Sequence, residues 1–164
     1  MHKTRNPLIF LIEDSVVYKD LIVGFLKSKK FTNLKIYKNG DECVKNMHLK
    51  PDLIILDYSS EGKTGLELMA QIQNDNPEVD FIFLSAQNKV EVAVQIMKIG
   101  AADYIIKNEK APHNLVKSIE YIINQTKRKK ATKGFKIGVI GFFIMLFLII
   151  MIITFMSIFF KLEF

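Results

Sequence analysis

Residues 7–14 carry the strongest structural pattern in this chain; they are Pro7-Leu8-Ile9-Phe10-Leu11-Ile12-Glu13-Asp14. An apolar run of this length, without polar alternation, predicts a strand at 7–12 that is buried on both faces. The run stops at two acids, and Ser15 after them is a residue type that caps helices, so a helix is predicted from Val16 to Lys29. A buried strand followed by a helix is the repeating unit of an α/β fold.

The same pair of elements recurs along the chain. Further strands are predicted at 34–37, 53–56, 81–84 and 104–106, and further helices at 41–49, 65–74, 90–99 and 112–126. The apolar face of the first helix is predicted to comprise Val17, Leu21, Ile22, Phe25 and Leu26. Strands that alternate with helices in this way predict an α/β domain, in which a parallel five-stranded sheet carries helices on both faces.

Polar residues follow the carboxyl ends of four of the predicted strands. These residues are Glu13, Asp14, Asp57, Ser85 and Lys107. Because parallel strands place their carboxyl ends at one edge of the sheet, where ligands bind in such folds, we expect the five side chains to converge. Each residue alone has an ordinary explanation as a helix cap, a turn residue or a surface charge. Their convergence favours a functional site.

The residue types at this edge indicate phosphoryl chemistry. Three neighbouring carboxylates repel one another and require a counter-charge. Because the set contains oxygen ligands and neither His nor Cys, it favours Mg²⁺ over zinc. A carboxylate beside Mg²⁺ can attack a phosphoryl group, and a lysine and a hydroxyl stabilise the charge on the transferred oxygens. Lys107 and Ser85 supply these two groups.

The chain has 164 residues and a net charge of +6, and the excess of positive charge is local. Residues 1–126 carry 16 basic and 16 acidic side chains, whereas residues 127–136 carry six basic side chains and no acid. Residues 137–160 carry no charge, and as a helix they would extend about 36 Å, enough to cross a bilayer core of about 30 Å. Basic residues beside such a span mark its cytoplasmic side.

We therefore expect a single-pass protein at the cytoplasmic face of the cell membrane, with its N-terminus in the cytoplasm. Its expected parts are a globular domain at 1–126, a basic juxtamembrane linker at 127–136, a transmembrane helix at 137–160 and a short tail at 161–164. The basic run beside an apolar span favours a lipid bilayer over nucleic acid as its partner, so no nucleic-acid partner is expected. Gly134 and Gly138 form a Gly-x-x-x-Gly pair, which is weak support for a homodimer.

Residues 7–126 resemble the receiver domain of two-component response regulators. The resemblance covers the whole part before the basic run, and it rests on the acidic pair Glu13-Asp14, Asp57, Gly65, Ser85, the run 100–104 (Gly-Ala-Ala-Asp-Tyr) and Lys107. It implies a flavodoxin-like sheet and a sensor histidine kinase or phosphotransfer protein as phosphodonor. It also implies signalling through contacts with a downstream protein, with no enzyme activity apart from slow self-dephosphorylation.

The resemblance also implies a role for each residue of the site. Asp57 would accept the phosphoryl group, Ser85 and Lys107 would contact it, and Tyr104 would be the aromatic switch residue. Mg²⁺ would be bound by Glu13, Asp14, Asp57 and the backbone carbonyl of Ser59.

Two positions depart from the pattern of the family. Ser60-Glu61 stand where Met-Pro is usual, which makes the loop after Asp57 more polar. Asn108 replaces the proline that usually follows the lysine. Because a cis bond before a non-proline residue costs about 3–4 kcal/mol, a trans bond between Lys107 and Asn108 is expected.

Three other classes of protein were weighed against this interpretation. A phosphatase of the haloacid-dehalogenase type needs an acid two residues after its nucleophile, and Ser59 stands there. A flavodoxin needs a phosphate-binding loop after the first strand, where Glu13-Asp14 would repel the phosphate of FMN. A non-switching scaffold that keeps the receiver fold at the membrane stays open as the alternative.

Overall fold

The structure, a computed structural model, describes the backbone of residues 6–58 and 65–162, and all side chains in these ranges except those at 127–138, 140, 154 and 157–162. Five parallel strands in this part of the chain form one sheet in the order β2-β1-β3-β4-β5. They are β1 (Ile9–Ile12), β2 (Leu34–Tyr37), β3 (Leu53–Asp57), β4 (Asp80–Ser85) and β5 (Asp103–Ile106). The predicted flavodoxin-like parallel sheet is confirmed, and the ends of its strands differ from the prediction by at most two residues.

The helices in the described ranges are α1 (Val16–Ser28), α2 (Gly40–Lys45), α3 (Gly65–Asp75), α4 (Val90–Lys98) and α5 (Ala111–Leu162). The predicted helix at 41–49 is divided, because α2 ends at Lys45 and a 3₁₀ turn follows at Met47–Leu49. The side chain of Asn46 donates to the carbonyl of Glu42 at 2.8 Å. An asparagine that bonds to the backbone in this way competes with continuation of the helix, which explains the break.

The three central strands β1, β3 and β4 are buried on both faces, and their side chains alternate between two apolar clusters. Ile9 and Leu11 of β1 pack with residues of α1 and α5, whereas Phe10 and Ile12 pack with residues of α2, α3 and α4. All four side chains are fully buried. This two-sided burial explains why the strand shows no polar alternation in the sequence.

The buried face of α1 differs from the prediction. Ile22 and Leu26 are fully buried, but Val17 is 83% exposed and Leu21 is 52% exposed. Tyr18 packs against the core instead. Residues 18, 22 and 26 are spaced by four, so they form one stripe along the helix, and positions 17 and 21 lie about 100° away from it.

The last helix extends beyond its predicted end at about residue 126. α5 runs from Ala111 to Leu162, through the basic segment that was predicted to be a linker. Lysine and arginine are good helix formers and no proline follows Pro112, so nothing in the sequence stops the helix. The chain divides into two compact units, Met1–Ile123 and Asn124–Phe164. The predicted domain limits at 126, 136 and 160 stay predictions.

A search of the described residues finds no helix that is both long enough and apolar enough to cross a membrane. The predicted span at 137–160 falls in part on positions whose side chains lie outside the description, namely 137, 138, 140, 154 and 157–160. The transmembrane helix therefore stays a prediction from the sequence.

Candidate functional site

Residues from four strands meet at the carboxyl edge of the sheet. Asp57 is the last residue of β3 and Ser85 is the last residue of β4, while the acidic pair and Lys107 directly follow β1 and β5. Backbone pairing extends to this edge, where the N–H of Lys107 donates to the carbonyl of Ser85 at 2.7 Å. The parallel register therefore assembles residues that are up to 94 positions apart in the chain.

Three carboxylates form an acidic cluster at this edge. One carboxylate oxygen from each of Glu13, Asp14 and Asp57 lies within 4.8 Å of the other two. Glu13 and Asp57 are each 2% exposed, whereas Asp14 faces solvent. The cluster thus has a buried floor and an open side.

Lys107 joins the two buried carboxylates. Its Nζ donates to Oε2 of Glu13 at 2.9 Å and lies 2.8 Å from Oδ2 of Asp57. The side chain of Lys107 is only 14% exposed, so both ion pairs are largely shielded from water. Charge-assisted hydrogen bonds in such surroundings are short and strong, so they hold the ammonium group against the two carboxylates.

Both carboxylate oxygens of Glu13 accept hydrogen bonds from the protein. Oε1 accepts from the backbone N–H of Ser15 at 3.2 Å, and Oε2 accepts from Lys107. Burial nevertheless raises the pKa of Glu13, and the charge of Asp57 adds to this effect, while Lys107 opposes it. Burial therefore disfavours the charged form of Glu13 more than the contact with Lys107 favours it.

The donor set fits a hard divalent cation. With all groups ionised, the three carboxylates and Lys107 have a formal charge of −2. Mg²⁺ would balance this charge, and it prefers oxygen ligands such as these while keeping several waters. Asp14, on the open side, lies where such waters have access.

Ser85 and Tyr104 are connected through the backbone of one residue. Oγ of the fully buried Ser85 accepts from the N–H of Gln87 at 3.0 Å. The hydroxyl of the half-buried Tyr104 donates to the carbonyl of Gln87 at 2.8 Å. Ser85 also follows Leu84, which is the register partner of Asp57. Gln87 therefore links the hydroxyl of Ser85, at the carboxyl end of β4, to the aromatic ring on β5.

Tyr18 belongs to the same site, although no pattern in the sequence predicts a role for it. Nζ of Lys107 lies 4.5 Å from the centroid of the Tyr18 ring. Burial raises the pKa of Tyr18 to about 12, and the charges of Glu13 and Asp57 contribute. The phenol therefore stays neutral at physiological pH. The only available clue in the sequence is its position three residues after the Ser15 cap, which places it in the first turn of α1, next to the acidic pair.

The remaining predicted features have different outcomes. The predicted trans bond between Lys107 and Asn108 is confirmed, since the described residues contain no cis peptide bond. Ser59, predicted to offer its carbonyl to the metal, lies outside the described residues, as does the departure at Ser60-Glu61. Their roles stay predictions.

A comparison with protein families identifies the family to which this fold and its acidic edge belong. The model of the response regulator receiver domain matches residues 9–120, so the chain belongs to this family. Receiver domains are phosphoacceptors of two-component systems, served by histidine kinases or phosphotransfer partners, and they bind Mg²⁺ at an acidic pocket.

Individual relatives agree with the family assignment. The chain is 31% identical over 100 residues to the chemotaxis protein CheY of Listeria monocytogenes, covering 60% of this chain and 84% of CheY. It is 32% identical over 130 residues to the uncharacterized transcriptional regulatory protein YesN of Bacillus subtilis, covering 76% of this chain. The chain spans only 34% of the length of YesN.

A solved structure supports the fold. The signal receiver domain of a protein described as a Luxo repressor from Vibrio parahaemolyticus superimposes with a TM-score of 0.70 at 23% identity. The match covers 77% of this chain and 96% of that domain. A likeness at this identity supports the fold alone.

Proposed function

We propose that Asp57 is the phosphoacceptor of this receiver. One observation carries the proposal: its buried carboxylate lies in a three-acid cluster and 2.8 Å from the Lys107 ammonium. Among the described residues, no second group of three acids lies so close together. The acid is thus held at a charged edge where a phosphodonor and a cation have access.

Glu13, Asp14 and Asp57 would hold Mg²⁺, together with the carbonyl of Ser59. When bound, the ion would neutralise the negative charge of the cluster and of the transferring phosphoryl oxygens. Asp14 is the exposed carboxylate of the three, so it is best placed to share the ion with water.

The proposed reaction is an in-line displacement at phosphorus. An oxygen of the Asp57 carboxylate forms a P–O bond, and the P–N bond of a phosphohistidine donor breaks. The electron pair of that bond returns to the imidazole nitrogen of the donor, and an acyl phosphate remains at position 57. Lys107 then has a phosphoryl oxygen within reach in place of the carboxylate charge that it pairs with beforehand.

The bridge through Gln87 supports a conformational response. A phosphoryl group at Asp57 offers Ser85 Oγ a new acceptor, which would move Ser85 away from the N–H of Gln87. The carbonyl of Gln87 holds the Tyr104 hydroxyl, so movement of this segment would release the ring. Tyr104 would then rotate, and the surface of α4 and β5 would change for a downstream partner.

We also propose that the C-terminal unit holds the receiver at a membrane. The support is the uncharged sequence at 137–160 beside the basic run at 127–136. Several described apolar side chains of this unit are exposed; Phe142, Phe147 and Ile152 are between 59% and 65% exposed. A bilayer would cover side chains that point to all sides of a helix. Cytoplasmic placement of the receiver follows from the same basic run.

Phosphorylation of the intact chain tests the acceptor assignment. The full chain in detergent micelles, incubated with acetyl phosphate and MgCl₂, is expected to gain the mass of one phosphoryl group. Asp57→Asn should abolish the gain, whereas Asp75→Asn, which changes an exposed acid at the far end of α3, should leave it intact. Chelation of Mg²⁺ should suppress the reaction in all variants.

Two outcomes would contradict the proposal. Phosphorylation of the Asp57→Asn chain would place the acceptor elsewhere. A wild-type chain that stays unmodified with both acetyl phosphate and a phosphohistidine donor would favour the non-switching scaffold. Transcriptional regulatory proteins are among the relatives, so the expected lack of a nucleic-acid partner stays a prediction.

A further inference from the structure

The ammonium group of Lys107 lies at the end of a long, flexible side chain. The two ion pairs alone do not fix its position. A lysine ammonium is a point charge on four rotatable bonds, and it can rotate about its carboxylate partners. The next residue is Asn108, so no proline ring restrains the backbone on that side. A third contact, from the α1 side of the site, limits this freedom.

That contact is the aromatic ring of Tyr18. The ammonium nitrogen of Lys107 lies 4.5 Å from the ring centroid, within the range of a cation–π interaction. The same nitrogen is bonded to Glu13 and Asp57. The ring and the two carboxylates therefore surround the ammonium from different elements: α1, the end of β1 and the end of β3.

Tyr18 is itself fixed in place. Its backbone N–H donates to Oγ of Ser15, the cap of α1, at 3.4 Å, and its side chain packs against the core formed with α5. The phenol hydroxyl is buried and has no hydrogen-bond partner among the described residues. The contacts of Tyr18 that the structure describes at this site are therefore made by its ring, and no hydrogen bond within the described residues accounts for its hydroxyl.

We propose that Tyr18 is a positioning residue, whose ring holds the Lys107 ammonium between the buried carboxylates so that it meets the phosphoryl group on Asp57. The proposal rests on the phosphoacceptor function proposed above, and it adds a residue that acts through Lys107 without touching the phosphoryl group. The ring, and not the hydroxyl, carries the effect.

Phosphorylation rates of the full chain test this role. Tyr18→Leu keeps an apolar side chain but removes the ring, and it should slow phosphorylation by acetyl phosphate about threefold to thirtyfold, the range expected of a shielded cation–π contact. Tyr18→Phe keeps the ring, so its phosphorylation rate should stay within about twofold of the wild-type rate. Tyr121→Leu makes the same change at an exposed tyrosine of α5 and should have no effect.

A double-mutant cycle with Lys107→Ala distinguishes positioning from a general structural defect. If Tyr18 acts through Lys107, adding Tyr18→Leu to the Lys107→Ala chain should produce no further loss of rate. A further loss as large as in the wild-type background would overturn the proposal. So would a Tyr18→Phe chain as slow as Tyr18→Leu, because the hydroxyl would then carry the effect.

A second measurement does not depend on phosphorylation. In NMR spectra of the lysine-labelled chain, methylene protons of Lys107 beside the ring should be shifted upfield, with the assignment made from Lys107→Arg. The shift should persist in Tyr18→Phe and disappear in Tyr18→Leu. Its absence from the wild type would overturn the inference. An upfield shift in a wild-type chain that takes no phosphoryl group would instead contradict the proposed function and leave the contact established.

Discussion

At the scale of single residues, the site is governed by an imbalance of charge. Glu13 and Asp57 are both buried and share one ammonium group, so each lacks full compensation. Removing one partner from such a set leaves a buried charge whose desolvation is no longer offset. The receiver thus stores unfavourable electrostatics at the place where a cation and a phosphoryl group are proposed to bind.

Glu13 should make the stability of the metal-free chain depend on pH. Burial raises its pKa above the usual 4.5, so between 4.5 and the folded-state pKa the folded chain binds more protons than the unfolded chain. Stability contributed by the protonated form is therefore lost as pH rises through this window. In EDTA, Glu13→Gln should flatten the fall in the free energy of unfolding as the pH rises above 4.5.

Urea titrations followed by tyrosine fluorescence measure this effect, because all five tyrosines lie between positions 18 and 121. Glu78→Gln, which changes an exposed acid, serves as the control and should keep the wild-type slope. An unchanged pH slope in Glu13→Gln would show that another group causes the dependence.

Site residues could be predicted from the sequence where they directly follow the end of a predicted strand. Asp57 and Lys107 could be placed because each follows an apolar run, and parallel strands bring such ends together. Tyr18 could not be placed in this way. Its contact with Lys107 depends on the rotation of α1 about its axis, and a tyrosine on an amphipathic helix is more often part of the core.

At the scale of elements, α3 packs tightly against the sheet at its first residue. Gly65 begins α3, and a Cβ atom there would meet a ring carbon of Phe83 at 2.9 Å and a methyl group of Leu56 at 3.1 Å. Both neighbours are fully buried, so they have little room to move. Since α3 follows the loop after Asp57, the glycine lets the helix begin close to the site.

Gly65→Ala should therefore destabilise the receiver by about 1–3 kcal/mol through overpacking. Gly24→Ala is a matched control inside α1, where a Cβ would meet nothing within 4 Å. That change should stabilise the chain by about 0.5–1 kcal/mol, because alanine loses less conformational freedom in a helix. The midpoints of urea unfolding measure both changes. A Gly65→Ala chain as stable as Gly24→Ala would show that α3 shifts without cost.

Hydrophobic periodicity alone predicted the strands but not the buried face of α1. All five strands were predicted, and the apolar runs of β1, β3 and β4 are buried on both faces, so they need no choice of face. For α1, five apolar positions span more than one face, and the sequence offered no means of choosing among them. The structure buries Ile22 and Leu26 and exposes Val17, because the Ser15 cap and the path from β1 set where the helix starts.

At the scale of the whole molecule, a receiver that matches residues 9–120 is joined to a unit of different composition. The receiver part is balanced in charge, whereas the following unit combines a basic run with an uncharged apolar segment. Either feature could hold the chain at a membrane. The basic run would act by electrostatic attraction to anionic lipid, which salt screens, and the apolar segment by insertion, which salt does not reverse.

Fractionation of cells separates these two mechanisms. The full chain should stay with membranes in high salt and after alkaline carbonate extraction, because an inserted helix is released by neither. A chain that ends at residue 136 keeps the whole basic run but lacks the apolar segment, and high salt should release it. Loss of the full chain from membranes in alkaline carbonate would contradict insertion. Retention of the shortened chain under the same treatment would place the membrane contact before residue 137.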